Sequence, residues 1–329
     1  MKTQRRTADY YINGILNGDK FVLSKSITII ESNLSKDVDL SIQILNGVSD
    51  RSGSSKRIGI TGVPGVGKST FIETFGNYLI SKGNKVAVLA IDPTSSMSGG
   101  SILGDKTRMN DLSRNKNAFI RPSPTKKTLG GVSNNTRENI LLCEAAGYDT
   151  VIVETVGVGQ SETLVKGMVD FFLLLMLPGA GDDLQGIKKG IMEMADGIVI
   201  NKADGDNIGT AKQAKLNYQS ALHLFAPSVS GWIPQVMMCS SIHKIGIEDV
   251  WQMILNHHDL LIGNGDLKKM RTAQNVDWFQ EQVSRTLVAR IFENKEYVKL
   301  RNQLEQSVLS EDLNPKEALS LMLNKIFPR

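Results

Sequence analysis

Short apolar runs alternate with amphipathic stretches through most of the chain. Ile58–Thr61, Val86–Ile91, Val151–Val153, Phe171–Leu177, Gly197–Ile200 and Val236–Met238 read as buried strands, and the intervening segments, Thr70–Ile80 among them, read as helices. This alternation predicts an α/β fold with a doubly wound, mostly parallel sheet covered by helices on both faces. Ahead of it, Leu16, Leu23, Ile27, Ile30 and Leu34 recur at helical spacing, and the Gly/Ser-containing stretch Ser49–Lys56 reads as a polar linker. Beyond it, Val276, Phe279, Val283, Leu287 and Ile291 form a second helical stripe, and Tyr297, Leu300, Leu304 and Val308 a third. The expected organisation is a helical extension over 1–56, an α/β domain over 57–260 and a helical arm over 261–329. The stripes of the arm need a covering surface, which either the domain or a second subunit can supply.

Two motifs give the α/β domain a chemistry. Residues Gly62, Val63, Pro64, Gly65, Val66, Gly67, Lys68 and Ser69 spell G-x-x-x-x-G-K-S, followed by Thr70, between a predicted strand and a predicted helix. In that context the backbone N–H groups and the helix N-terminus can cradle a diphosphate. Lys68 can reach the β- and γ-phosphates, and the Ser69 hydroxyl can ligate Mg²⁺. Asn201, Lys202, Ala203 and Asp204 spell N-K-x-D at the carboxyl end of the strand Gly197–Ile200, where doubly wound sheets bind ligands. A carboxylate at Asp204 accepts from guanine N1–H and N2–H₂, a pair of donors adenine lacks, while the Lys202 stem can lie along the base. The combination predicts GTP as the nucleotide. Ser240 and Ser241 follow the last strand, at the place expected of a second base-contacting loop.

Three polar stretches at strand ends carry the remaining candidates. Glu154 closes Val151–Val153 and is followed by Gly157, the form of a γ-phosphate sensor in which the carboxylate holds Mg²⁺ or orients water and the glycine N–H meets the phosphate. Asp92 closes Val86–Ile91 ahead of a loop that also holds Asp105, and either aspartate can reach the Mg²⁺ shell or serve as a turn or cap. In Pro178–Gly190, Asp182 or Asp183 suits a helix cap, and Lys188 or Lys189 suits a source of positive charge for a transition state.

Composition narrows the picture by exclusion. The chain has 329 residues, 41% hydrophobic and 22% charged, with a net charge of +4. Scattered basic residues without interleaved aromatics give no reason to expect nucleic acid. Cys143 and Cys239 lie far apart in apolar surroundings and read as buried thiols in a reducing compartment. The longest apolar run, Phe171–Leu177, is too short to span a bilayer, and MKTQRRTADYY is not followed by a leader-like apolar core, so a cytoplasmic protein without a membrane partner is expected.

Read in order, GITGVPGVGKST, IDPTSS, GGSILGDKTRM, FIRPSP, TLGGV, ETVGVGQSE, MLPGAGDDLQGIKKGI and NKAD closely resemble the methylmalonyl-CoA mutase-associated GTPases, the MeaB/ArgK family that includes the human cobalamin type A disease protein. The resemblance runs from the N-terminal helices to about residue 260 and is looser in the arm. It implies a homodimeric GTPase with a dimerisation arm that loads and protects an adenosylcobalamin-dependent acyl-CoA mutase. By motif it assigns Gly62–Thr70 to the phosphates, Asp92, Asp105 and Glu154 to Mg²⁺ and the first switch, and Gly157–Glu162 to the second switch. Asp182, Gln185 and Lys188 fall in its third switch, and Asn201, Lys202 and Asp204 read guanine. Met97 stands where relatives often carry a basic residue, which puts a charge-based role there in doubt. Two other classes share the scaffold. A transport-system kinase is one, since a phosphate loop is neutral on what attacks the phosphate. The other, a nickel metallochaperone, calls for a Cys/His cluster that the sequence does not spell.

Overall fold

The computed structural model describes residues 5–32, 34–92, 109–124, 135–155, 161–179, 189–223, 225 and 230–327, without the side chains of residues 35, 91, 92, 123, 124, 161 and 189. Seven strands form one sheet: β1 (Lys56–Gly62), β2 (Val86–Asp92), β3 (Ala118–Pro124), β4 (Thr150–Glu154), β5 (Phe171–Met176), β6 (Gly197–Ile200) and β7 (Gln235–Met238). Their spatial order is β3-β2-β4-β1-β5-β6-β7, and every neighbouring pair is parallel. The chain moves outward from β1 on one side, returns to insert β4 beside it, and then builds the other side from β5. The order therefore reverses between β1 and β4: the connection from β1 runs to β2 on one side and that from β4 to β5 on the other, and their carboxyl ends form the crevice where open α/β sheets bind ligands.

Side chains alternate between the two faces. Ala87, Leu89, Val151, Val153 and Phe172 pack into one apolar cluster, while Val86, Val88, Ile152, Phe171 and Leu173 pack into another. The first cluster is covered by α1 (Ala8–Leu16), α2 (Lys20–Ile30), α3 (Ser35–Val48) and, later in the chain, the helix Thr136–Ala145. The second is covered by α4 (Lys68–Ser81), which brings Phe71, Phe75 and Leu79, and by the helix Ile247–Gly263, which brings Val250, Trp251 and Ile254. With α5 (Asn110–Arg114), α6 (Thr136–Ala145), α7 (Ser161–Lys166), α8 (Lys189–Met194), α9 (Asn207–Leu222) and α10 (Ile247–Gly263), both faces are clad in helix. The fold is thus the α/β, doubly wound class that the alternation predicts.

Two local differences from the sequence reading have physical causes. Strand β3 has no counterpart among the six apolar runs, because AFIRPSP carries two prolines. It pairs only with β2, and prolines are tolerated on an edge strand whose open side needs no donor. In the N-terminal helices Leu23, Ile27 and Ile30 are buried, but Leu16 is 41% and Leu34 55% exposed. Tyr11, Ile15, Ile44 and Val48 occupy the core instead. These helices share a core with the sheet, and Arg5 Nε and Nη2 bind the buried Asp37 carboxylate at 3.0 and 2.8 Å to fasten the start of α1 against α3. The stretch Ser49–Lys56 is mostly exposed, with only Ser55 buried, but it is tethered to the helix Thr136–Ala145. Gly53 N and Ser55 Oγ both donate to the Glu144 carboxylate at 2.6 Å, which also holds Arg57 through Nε at 2.8 Å and Nη2 at 3.0 Å.

The chain forms two compact units, Met1–Lys269 and Met270–Arg329. Most of the helix α11 (Asp266–Glu293) belongs to the second, with α12 (Lys295–Leu309) and α13 (Pro315–Ile326). There α12 and α13 pack together, with Lys325 Nζ 2.8 Å from Glu296 Oε1. The predicted stripe of α11 lies open, Val276 being 49%, Phe279 61%, Val283 40% and Leu287 55% exposed. Among the described residues, no helix is long and apolar enough to cross a membrane.

Candidate functional site

The reversal of strand order places three sequence-distant segments around the carboxyl end of β1. The loop after β1 leads into α4, with Gly67 as its N-cap at φ 92° and ψ 33°, a left-handed conformation suited to glycine. A Cβ on Gly67 would lie 3.0 Å from Asn201 Nδ2, and one on Gly62 would lie 2.5 Å from Leu175 O. The glycines at these two positions are therefore required by contact as well as by backbone geometry.

The N-K-x-D segment grips this loop directly. Asn201 Nδ2 donates to Val66 O at 2.9 Å, and Lys202 Nζ donates to Gly65 O at 2.8 Å from a residue itself at φ 57°. The opposite end of the Asn201 amide is also pinned. Its Oδ1 accepts from Ser241 Oγ at 2.7 Å, Ser241 N at 3.3 Å and Cys239 Sγ at 3.4 Å. Burial pushes the Cys239 thiol up to about 12, with the Ser241 hydrogen bond opposing and the Asp204 charge adding to it, so the S–H is retained as a donor. The Ser240 hydroxyl bonds Asp204 Oδ2 and accepts from His243 N at 3.2 Å, which aims one carboxylate oxygen of Asp204 and leaves the other for a donor pair on a base. Thr74 Oγ1 on α4 donates to Ser241 O at 2.9 Å, closing the ring back to the phosphate loop.

At the other side of the loop, Ser69 Oγ donates to Glu154 Oε1 at 3.3 Å. Glu154 is buried at the end of β4, and the pair presents two hard oxygen groups of the kind a small divalent cation takes. Lys68 Nζ donates to Gly62 O at 2.8 Å. Burial pushes its ammonium below the usual lysine range, while the Glu154 and Glu162 carboxylates pull the other way, so the positive charge is held in a pocket where it interacts strongly with anions. Behind it, Thr155 Oγ1 donates to Thr61 Oγ1 at 2.8 Å, and Thr61 Oγ1 donates to Glu162 Oε1 at 3.4 Å.

The structure thus brings together Gly62–Thr70, Glu154, Asn201, Lys202, Asp204, Ser240 and Ser241. Asp105, Gly157, Asp182, Gln185 and Lys188 lie outside the described residues, and Asp92 is described only as the last residue of β2. Three contributors carry no signal of their own in the sequence. Thr61 reads as the end of a strand, Thr74 as an ordinary helix position, and Cys239 as core. Among the described residues no group of three or more His, Cys, Asp or Glu is arranged to hold a metal ion. His257, of the adjacent histidine pair, is instead buried edge-on between Phe171 and Trp232, with ring centroids 5.1 and 5.0 Å away.

The chain is similar to known proteins over most of its length. The family model described as "Methylmalonyl Co-A mutase-associated GTPase MeaB" matches residues 23–296. The GTPase ArgK of Escherichia coli is 47% identical over 308 residues, covering 94% of this chain and 93% of that one. The mouse mitochondrial methylmalonic aciduria type A homolog is 41% identical over 333 residues, covering 97% of this chain and 80% of its own. A solved structure described as a LAO/AO transport system kinase superposes with a TM-score of 0.79 at 40% identity, covering 99% of each chain.

Proposed function

Because the chain belongs to the methylmalonyl-CoA mutase-associated GTPase family and is a P-loop GTPase, we propose that its hydrolysis of GTP serves an adenosylcobalamin-dependent acyl-CoA mutase, methylmalonyl-CoA mutase first among the candidates. In this role it acts as a chaperone that gates cofactor loading and protects or reactivates the mutase. The observation that carries the nucleotide chemistry is the double clasp of Asn201 and Lys202 on the phosphate loop, which makes guanine recognition and phosphate binding one rigid body. The mutase assignment rests on the family, whose description names that partner, and on the family strings present in this sequence.

Each residue has a part in this reading. The N–H groups of Gly62–Thr70 and the Lys68 ammonium bind the β- and γ-phosphates, Lys68 exchanging Gly62 O for phosphate oxygen. Asn201 and Lys202 hold the loop, and Asp204, aimed by Ser240, accepts from the guanine edge. Ser69 and Glu154 fit Mg²⁺ by their oxygen donors, and Asp92 and Asp105 are the further candidates for its shell. When bound with nucleotide, Mg²⁺ neutralises charge on the β- and γ-phosphate oxygens. Glu154 can also orient the attacking water, Gly157 can meet the γ-phosphate through its N–H, and Lys188 can add positive charge as the bond to the leaving oxygen breaks.

A GTPase whose switches are ordered by a partner turns over slowly alone. By linkage, a mutase that favours the GTP-bound form is itself bound more tightly when GTP is present. The arm over 261–329 is the dimerisation element of this reading, its exposed α11 stripe being the surface that a second copy covers.

The test is GTP turnover by the purified protein, alone and with each candidate mutase, using ATP and Lys68→Ala as controls. Acceleration of GTP but not ATP hydrolysis by one mutase, abolished by Lys68→Ala, identifies the client. A flat rate with every candidate sinks the mutase assignment. Appearance of labelled phosphate on an acceptor protein, with no release into solution, points to the kinase alternative instead.

A further inference from the structure

Helix α9 follows Asp204 and strand β7 leads to Ser240, so the head ends of these two elements carry the base-reading residues. Away from that end, the second half of α9 and the start of β7 line a groove of about 590 Å³ that the nucleotide chemistry leaves unused. The helix turns two faces in different directions. Ala211, Ala214 and Tyr218 are buried in the apolar cluster beneath it. Lys212, Lys215, Leu216, Gln219 and His223 recur three and four residues apart on the other face, and all but Lys212 line the groove. Ile233, just ahead of β7, lines it as well. Leu216 and Ile233 are both more than half exposed. Single exposed apolar residues are ordinary, but two that line one groove form an anchor point for a partner.

Charge gives that partner its chemistry. From Asn207 to Ile247 the chain holds Lys212, Lys215, His223, His243 and Lys244 and not one carboxylate, although the whole chain has 34 Asp and Glu in 329 residues. Among the described residues, Lys212, Lys215 and His223 have no carboxylate partner. The groove is therefore apolar at its anchors, basic along its helix wall and free of negative charge, which matches an acidic and apolar surface.

The main chain of β7 limits how such a partner binds. Cys239 N donates inward to Ile200 O at 2.9 Å, so by alternation Val236 turns its N–H and C=O toward the open edge of the sheet. Val236 is nonetheless buried, which leaves no free ladder for an added strand. Recognition must come from side chains, the mode in which an amphipathic helix lays its apolar face in a groove.

We propose that the α9–β7 groove docks an acidic amphipathic helix of a partner protein, with apolar side chains seated on Leu216 and Ile233 and carboxylates facing Lys212, Lys215 and His223. The surface stands apart from the phosphate loop and does not depend on which mutase the GTPase serves.

The experiment is fluorescence anisotropy on the full chain with a fluorescein-labelled helical peptide of about three turns, carrying Leu at i, i+4 and i+7 and Glu at the flanking positions. Its controls carry Lys in place of Glu, or Ser in place of Leu. The Glu/Leu peptide is expected to bind, and each control to bind at least about tenfold more weakly. Reversing both charges, Lys212→Glu with Lys215→Glu, should weaken the Glu/Leu peptide about tenfold and strengthen the Lys/Leu peptide, an exchange that loss of structure does not produce. Ile233→Ser should weaken the Glu/Leu peptide, and GTP turnover should be unchanged in both variants. No binding of the Glu/Leu peptide, equal binding of the Lys/Leu peptide, or affinities indifferent to both variants overturns the proposal. Capture of the chain by phosphatidylcholine vesicles containing phosphatidylserine, lost in the charge-reversed variant, also overturns it and makes the groove a membrane surface. A change in the sedimenting species on charge reversal overturns it in favour of a second copy of this chain.

Discussion

Replacing Gly67 by alanine tests whether the phosphate loop works through its backbone shape. At φ 92° and ψ 33° an L-residue costs about 1–2 kcal/mol. The new methyl group would also lie 3.0 Å from Asn201 Nδ2. That amide is held at both ends, by Val66 O at 2.9 Å and by Ser241 Oγ at 2.7 Å, so it yields only by loosening a hydrogen bond worth roughly 0.5–1.5 kcal/mol. The two effects together come to about 1.5–3.5 kcal/mol. Free of nucleotide, the loop can relax to relieve the strain, but it must recover its shape to bind, so the cost falls mainly on affinity. At about 1.4 kcal/mol per factor of ten, Gly67→Ala should weaken guanine nucleotide binding roughly 10- to 300-fold. Gly83→Ala is the internal control, since Gly83 has φ 93° but nothing within 4 Å of its added Cβ. It should lower stability in urea by about 1–2 kcal/mol and leave affinity unchanged. The assay is titration of a fluorescent GDP beside urea unfolding of each variant. An affinity for Gly67→Ala within about threefold of wild type would refute the reasoning, as would equal losses of affinity in both variants.

Glu144→Gln should be the more damaging change to stability. It leaves the Arg57 guanidinium, only 5% exposed, without its carboxylate, and removing one partner of a buried pair costs about 3–5 kcal/mol; urea unfolding with a cost below about 1 kcal/mol would contradict this. The same carboxylate sets a pH dependence. Burial raises its pKa, but the Arg57 hydrogen bonds and charge, with Ser55 and Gly53, outweigh burial and hold it below its usual 4.5. Asp37 is likewise held below 3.8, chiefly by the Arg5 hydrogen bonds. A lowered folded-state pKa means stability that is fully present above the unfolded value and lost as pH falls beneath it, so a melting-temperature profile should decline below about pH 4.5, and Glu144→Gln should remove part of that decline and leave the part that Asp37 contributes below about pH 3.8. Ser240→Ala removes the hydroxyl that aims Asp204 and should weaken GTP binding by about 2- to 12-fold without affecting the fold; unchanged affinity would count against that role. Phe279→Asp, on the exposed stripe of α11, should shift the sedimenting species toward monomer, and a wild type that sediments as a monomer would remove the dimer proposal.

The parts of the molecule legible in the sequence are those where chemistry restricts the residue type. A diphosphate needs a left-handed turn of exposed N–H groups and a cation, which only a few spellings supply, and Gly62–Ser69 is one of them. Five strands are legible because they lie inside the sheet and read as apolar runs, and the sixth, β7, because Val236–Met238 stays apolar although it is an edge strand and only Val236 of the three is buried. Strand β3 escapes because its open edge admits Pro122 and Pro124, which break the apolar run that the other edge, β7, keeps. The N-terminal helices are legible as helices but not in their facing. Helix α3 carries Ile44 and Val48 inward while Val38 and Ile42 are 45% and 52% exposed, so no single stripe names the core side.

What periodicity cannot reach is the set of polar bonds that makes separate motifs into one site. Thr74 and Ser241 meet across 167 positions, Asn201 and Val66 across 135, and Ser69 and Glu154 across 85. None of these pairs has a local signature, because each is created by the strand order and not by spacing. The order itself supplies the reason they meet: β1 is flanked by β4 and β5, with β6 next to β5, so the loops after β1, β4 and β6 open on one crevice. A substitution that slipped β1 against β4 by one residue would leave every motif spelled correctly, yet it would part Ser69 from Glu154. It would also turn the alternating side chains of β1 to the wrong faces of the sheet. The Arg57–Glu144 pair and the Arg57 N–H bond to Asp170 at 2.9 Å sit at the start of β1, where they oppose such a slip. The buried charges at the foot of the sheet are in this sense part of the nucleotide site at its head.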